Sequence, residues 1–418
     1  MFLKIRPSTL WVVLASLSPL WVSASPSARL SGADLQPAPE FDAGDRVPSR
    51  QGWALGPGRP ETFRNMAEML PTRRIATSEK PYPLSRAKQP LALSYEYGGA
   101  KYSIDDFAHR TGTTGLLILK GDEILYEGYY DGADDKDTFQ SFSAGKSFVS
   151  TLLALAKADG KIRSLEDPVS AYLPEVKGSA YEHAKIRDVL QMSSGTAYNE
   201  EYEDPNSDIA EFARIMEANQ GGLYDFARSF KAIRPPGTKF YYASTDTEIL
   251  GALIARVTGK SLSAYMSEKL WKPIGAEAPA RWLIDAPGAK GREMAAGGLQ
   301  VTLRDYGRFG RLFANDGMIH GKRLLPAGWV AEATVPRAPY VQYGKLEPND
   351  PTGYGYQWWC IPDEHHSFTA EGIHGQFVMV DPIEHVVVVK LSAWEHAWDD
   401  SMSEETFAFF EAVTHALK

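Results

Sequence analysis

Gly115-Leu116-Leu117-Ile118-Leu119-Lys120, then Gly121-Asp122, then Glu123 to Tyr130, lead on to Ser143-Ala144-Gly145-Lys146. The two runs that flank Gly121-Asp122 are rich in strand-forming residues. The pair between them signals a hairpin turn, although a weaker one than Asp-Gly. From Ser143 to Asp159 the pattern becomes helical, with Phe148, Leu152, Leu155 and Ala156 on one face and Gly160 as a stop. A serine therefore opens a helix behind a β-hairpin. A lysine follows three residues later on the same helical face.

Working outward, helical patterns dominate between about residues 162 and 290, at Ile186 to Met192, Ile209 to Ala218, Asp246 to Val257 and Ser263 to Leu270, and continue at Leu303 to Asn315. After about residue 350 the pattern returns to strands, at Tyr354 to Ile361, Gly375 to Val380 and His385 to Leu391. An amphipathic helix from Ser403 to Leu417 then carries Phe407, Phe410, Val413 and Leu417 on one stripe. Strands near both chain ends with helices between them predict an α+β fold. One antiparallel sheet is assembled from both termini and flanked by helices, and a mostly helical subdomain is inserted in the middle. The expected division is 63–147 with 291–418 for the sheet part and 148–290 for the helical part, with the active site in the cleft between them.

At 418 residues, 44% hydrophobic and 11% aromatic, the chain can bury a large core. A net charge of -9 and the lack of any long basic run argue against nucleic acid as a partner. The first residues carry Lys4 and Arg6, Thr9 to Trp21 is mostly apolar, and Val22-Ser23-Ala24 supplies small residues. This is the layout of a signal peptide over 1–24, which predicts a periplasmic or secreted bacterial protein with no stable membrane anchor once the leader is removed. Residues 25–62, rich in Pro, Gly, Ala and Ser, read as a linker. The single cysteine, Cys360, excludes an internal disulfide and a zinc–thiolate cluster and reads as a buried strand residue. His365-His366 lacks the HExxH context of a metalloprotease, so no metal is expected there.

A serine hydroxyl needs a nearby base to act as a nucleophile. Lysine can serve if burial or neighbouring positive charge lowers its pKa. A helix N-terminus adds to both effects, disfavouring the ammonium and offering N–H groups to an oxyanion. Two other motifs touch these residues. Gly145-Lys146-Ser147 mimics the end of a phosphate-binding loop, but Gln140 stands where that loop needs a glycine. Ser141-Phe142-Ser143-Ala144-Gly145 resembles a nucleophile elbow without its first glycine. The helical middle of the chain does not offer the alternating strands and helices that such an elbow requires.

Downstream, Phe240-Tyr241-Tyr242-Ala243-Ser244 precedes a helix, and Glu371-Gly372-Ile373-His374-Gly375-Gln376 opens a C-terminal strand. With Ser-x-x-Lys, this ordered set resembles the serine β-lactamase and penicillin-binding-protein superfamily. Within it the chain is similar to the β-lactamase-related hydrolases of the 6-aminohexanoate-dimer hydrolase type. The resemblance runs from about Thr62 to the end and takes in Met192-Ser193-Ser194-Gly195, Ala296-Gly297-Gly298-Leu299 and Gly353-Tyr354-Gly355-Tyr356.

The resemblance implies a β-lactamase/transpeptidase-like fold and an acyl-serine mechanism without metal or organic cofactor, acting on a small amide or ester. Ser143 would be the nucleophile, with Lys146 and Tyr242 moving the proton. Tyr241 is the rival for the last role, and the family's spacing favours Tyr242. The backbone amides of Ser143 and Ile373 would form the oxyanion hole. On the substrate side the resemblance points to Ser244, to Tyr202 in the acidic loop Tyr198 to Pro205, and to His374 as a wall residue rather than a second base.

Penicillin-recognising members carry a Lys-Thr-Gly on the C-terminal strand. Here His366-Ser367-Phe368-Thr369-Ala370-Glu371 has no lysine and adds an acid. The expectation is therefore an amidase or esterase. A D,D-peptidase or weak β-lactamase is the second reading, and a non-hydrolysing penicillin sensor is a third of a different class.

Overall fold

The computed structural model describes residues 58–89 and 91–418, together with the backbone of Leu35–Gln36. The signal-peptide expectation, and the linker expectation as far as residue 57, lie outside the described residues. Order begins earlier than the composition suggests. Arg59–Arg64 is already a helix, with Pro60 in its first turn, where a missing N–H costs nothing.

Eight strands form the large sheet: β1 (Ser85–Arg86), β2 (Thr113–Lys120), β3 (Glu123–Tyr129), β4 (Gly353–Tyr354), β5 (Trp359–Cys360), β6 (Phe368–Gly372), β7 (Gln376–Asp381) and β8 (Val386–Ser392), in the spatial order β4-β5-β6-β7-β8-β2-β3-β1. All neighbours are antiparallel except β1 on β3. The N-terminal hairpin β2–β3 thus sits beside the last strand of the chain, as the strand-helix-strand order predicts.

The sheet is buried on both faces, and the sequence of its central strands shows why. Along β8, Val387, Val389 and Leu391 enter one core while Val386 and Val388 enter the other; Leu117 and Leu119 of β2 divide from Leu116 and Ile118 in the same way. This period of two is the alternation of a pleated strand. One face is covered by α1 (Ile104–Arg110) and α6 (Asp400–Ala416), where Phe107 and Phe409 stack at 3.9 Å. The other carries α2 (Gly145–Ala158) and α5 (Leu303–Ala314), with Phe148 stacked on Phe309 at 3.6 Å.

Three readings of the sequence change. Tyr354 to Ile361 is not one strand but the tight pair β4 and β5, turned at Gln357, whose φ is +63°. β6 is a further strand that apolar alternation does not reveal, because Thr369 and Glu371 are buried within it. In α6 the buried apolar residues are Phe409, Phe410 and Val413, whereas Phe407 and, just past the helix end, Leu417 only flank the core. The span 148–290 also holds Ala280–Leu283, a strand of a second sheet between Thr72–Ile75 and Leu299–Thr302. Thr138–Gln140 closes that sheet at its edge, just before the Ser-x-x-Lys turn. Cys360 lies buried in β5, where desolvation raises its thiol pKa. Among the described residues no helix is long and apolar enough to cross a membrane.

α5 lies close on the sheet because two of its residues lack side chains. A Cβ on Gly307 would stand 2.5 Å from Leu117 Cδ2, and one on Gly310 would stand 2.5 Å from Val387 Cγ1. Gly310→Val must push the helix off β8. It is expected to lower stability by about 1–3 kcal/mol, as overpacked cores do, measured by urea denaturation.

Candidate active site

Ser143 sits in a single turn of 3-10 helix, Phe142–Ala144, that runs directly into α2. Phe142 just before it has φ +43°, in the left-handed region that a bulky residue seldom adopts. Packing holds it there, with Phe63 at 4.9 Å and His374 at 5.3 Å between ring centroids. The turn is clasped from two sides by segments that only glycine allows. A Cβ on Gly297 would lie 2.9 Å from the Phe142 carbonyl carbon. One on Gly372 would lie 2.5 Å from the Ser141 oxygen and 3.1 Å from the Ser143 amide nitrogen. The end of β6 therefore runs alongside the Ser143 amide and brings Ile373, the next residue, to the same place.

Lys146, one turn along α2, is 2% exposed. Its ammonium donates to Ser143 Oγ at 2.7 Å, to Ser244 Oγ at 3.1 Å and to the Ala296 carbonyl at 2.8 Å. Desolvation lowers its pKa to about 8, against the pull of Glu200 and Glu248, which raise it. Near neutral pH such a lysine has a readily reached free amine, able to take the Ser143 proton. The Ala296 carbonyl belongs to the Ala296-Gly297-Gly298-Leu299 turn. Glu248 of α4 (Ser244–Thr258) steadies that turn by accepting from the Ala296 amide at 2.7 Å.

Tyr242 reaches Ser143 from the loop before α4, and the contact lowers its phenol pKa in part. Burial, followed by the charge of Glu200, outweighs this and raises it, so the hydroxyl is held protonated, suited to giving a proton rather than to standing as a phenolate. Its ring stacks on Trp359 at 5.8 Å and lies 5.1 Å from the Lys146 nitrogen. Tyr241 turns the other way, under the Arg234 guanidinium at 4.4 Å. Consecutive side chains of an extended segment point to opposite sides, which separates the two rivals.

Glu200 is the site residue that motif reading passed over, although it lies inside the quoted acidic loop. It accepts from the Ser244 amide at 2.6 Å, from Ser244 Oγ at 2.6 Å and from the Tyr202 hydroxyl at 2.9 Å. Desolvation raises its pKa, while these donors and Lys146 favour its charged form. The Ser244 hydroxyl, expected to face substrate, is thus committed within the protein: it donates to Glu200 and accepts from Lys146. Tyr202 also contacts Ser143, and burial raises its phenol pKa. His374 is 5% exposed, its Nδ1 3.0 Å from the Trp394 carbonyl, and burial lowers its pKa to about 4. It is a neutral wall behind Phe142.

Two cavities meet at Ser143. The larger, about 1210 Å³, is bordered by Tyr242, Trp359, Glu371 and the face of α6. The smaller, about 480 Å³, is bordered by Met66, Ile209, Phe212, Met216 and Met294, with Ser244 at its inner edge. Tyr202 and Ile373 border both. The arrangement brings a hydroxyl, a buried amine with a lowered pKa and a phenol to one point between two chambers.

This chain belongs to the beta-lactamase family, which it matches over residues 103–409, and is a hydrolase of that family. It is similar to the 6-aminohexanoate-dimer hydrolase of Paenarthrobacter ureafaciens, with 29% identity over 88% of this chain and 93% of that one. Among solved structures it is similar to one described as "Putative 6-aminohexanoate-dimer hydrolase from Bacillus anthracis", with a TM-score of 0.76 and 24% identity over 88% of this chain and 97% of that one. A family VIII carboxylesterase shares the fold at a TM-score of 0.56 and 17% identity, over 74% of this chain and 96% of its own.

Because the Glu200 carboxylate stabilises the Lys146 ammonium, Glu200→Gln should let the lysine lose its proton more easily. The expected result is a Lys146 titration midpoint below that of the wild type, followed by NMR of isotope-labelled lysine. An unchanged or higher midpoint would show that Glu200 is uncharged.

Proposed function

We propose that this protein hydrolyses amide or ester bonds in two steps through an acyl-serine. Lys146, as free amine, takes the Ser143 proton while Oγ bonds to the substrate carbonyl carbon. The amides of Ser143 and Ile373 hold the oxyanion. The C–N or C–O bond then breaks as a proton passes through Tyr242 to the departing atom. Water attacks the acyl-enzyme, its proton taken by the same Lys146–Tyr242 pair, and the acid leaves as Ser143 regains its hydrogen. The observation that carries the reading is the contact of Lys146 with Ser143 at 2.7 Å, made by a buried lysine whose pKa is lowered to about 8.

Tyr202 and His374 are read as walls of the substrate site, and Ser244 as the link that relays Glu200 to Lys146. The likeness to 6-aminohexanoate-dimer hydrolase supports a linear amide or ester over a fused β-lactam, as does an acid in place of a strand lysine. The leader over 1–24 is read as an export signal, which puts the protein in a bacterial periplasm or outside the cell.

Ser143→Ala is expected to abolish p-nitrophenyl-ester turnover and labelling by a fluorophosphonate; labelling that persists would move the nucleophile elsewhere. Tyr242→Phe should lower kcat by about a hundredfold or more, the usual scale for a lost acid–base group. In the wild type, kcat/KM should rise with pH through a midpoint near 8, since Lys146 acts only when neutral. A chromogenic cephalosporin turned over as fast as a simple ester would refute the preference for linear substrates.

A further inference from the structure

Glu371 has no place in the mechanism above. It lies on β6 two residues before Ile373 and borders the larger cavity. The residue is 8% exposed, and its Oε1 is buried without a hydrogen-bond partner among the described residues. Desolvation drives its pKa up. The neighbouring charge that acts on it is that of Asp350, of the same sign.

A buried carboxyl without a partner is costly unless a ligand supplies one. The rest of the chamber has the same bias. Asp350, Asp363, Glu364, Asp400, Glu404 and Glu411 border it, against Lys418 as its one lysine or arginine among the described residues. The two histidines there are His415 and His365, and the latter is already paired with Asp381 at 2.6 Å. Walls of one sign raise the local concentration of an oppositely charged ligand.

The two chambers are also distinguishable by chemistry. Tyr242 borders the larger and does not border the smaller. A proton delivered by Tyr242 reaches an atom on its own side, so the departing half of the substrate lies in the larger chamber. The acyl half then occupies the smaller one, among methionines and Phe212.

We propose that the larger cavity is a leaving-group subsite for a cation, in which Glu371 pairs with an ammonium carried by the departing alcohol or amine. The inference rests on the hydrolase reading for which half goes where, but the pairing itself does not depend on turnover. The aromatic faces of Trp359 and Tyr242 beside Glu371 suit such a cation as well.

The test compares two butyrate esters of matched shape, that of choline and that of 3,3-dimethylbutanol, with kcat/KM measured for each. The expected result is a preference of at least about tenfold for the choline ester, collapsing towards unity in Glu371→Gln. Asp350→Asn, which keeps Glu371 in place, should reduce the preference two- to threefold. Calorimetry on Ser143→Ala supplies the arm without turnover: choline should bind more tightly than 3,3-dimethylbutanol, and Glu371→Gln should erase the difference. Equal rates for the two esters, a faster neutral ester, or a preference untouched by both variants would overturn the inference and leave the hydrolase standing. If neither ester is hydrolysed by Ser143 but choline still binds through Glu371, the hydrolase reading fails and the cation subsite survives.

Discussion

Lys146 has its ammonium among three acceptors, Ser143 Oγ, Ser244 Oγ and the Ala296 carbonyl, and the rest of the site is arranged around it. A buried ammonium is tolerated only where each of its protons is received. Here the receivers come from three different segments: the start of α2, the start of α4 and the glycine turn before Leu299. Burying the lysine therefore fixes where those segments meet. Desolvation supplies the chemistry and Glu200 and Glu248 limit it, so the amine is poised near neutrality without being stripped of its charge altogether. The two carboxylates also hold structure, Glu200 at the N-terminus of α4 and Glu248 at the Ala296 amide.

A second constraint is how closely backbone must approach the nucleophile. Oxyanion donors work only when held in place beforehand. Gly372 and Gly297 let β6 and the glycine turn touch the Ser141-Phe142-Ser143 backbone, where any Cβ would clash. The positive φ of Phe142 is part of the same arrangement. Its unfavourable conformation persists because Phe63 and His374 pack on the ring, which accounts for a buried histidine at this place.

The family relationship and the cavities concern different questions. Membership of the beta-lactamase family accounts for the frame of sheet and flanking helices. What enters the cleft depends on side chains lining two chambers, the larger with acids in excess and the smaller mixing methionines with Arg59, Glu203 and Glu395. The strand position beside the oxyanion donors, where a penicillin-recognising enzyme keeps its Lys-Thr-Gly, here holds Glu371.

The sequence alone determined the features that depend on near neighbours. Helix periodicity from Ser143 to Asp159 marked α2, and Gly121-Asp122 marked the β2–β3 hairpin, because these signals act within a few residues. The order of motifs was enough for the fold class, since strands at both chain ends can close only into a shared sheet. β6 escaped notice because its buried Thr369 and Glu371 break the apolar pattern, and the second sheet did so because its short strands are paired across long stretches of chain. Glu200 was indistinguishable from the solvated acids around it until the fold turned it towards Ser244 and Tyr202. Tyr241 and Tyr242 are likewise equivalent as letters, and it is the direction of the backbone that sends one to Arg234 and the other to Ser143. Which carboxyl is buried, which phenol faces the cleft and which chamber is acidic are consequences of desolvation and distance, and these exist only once the chain has folded.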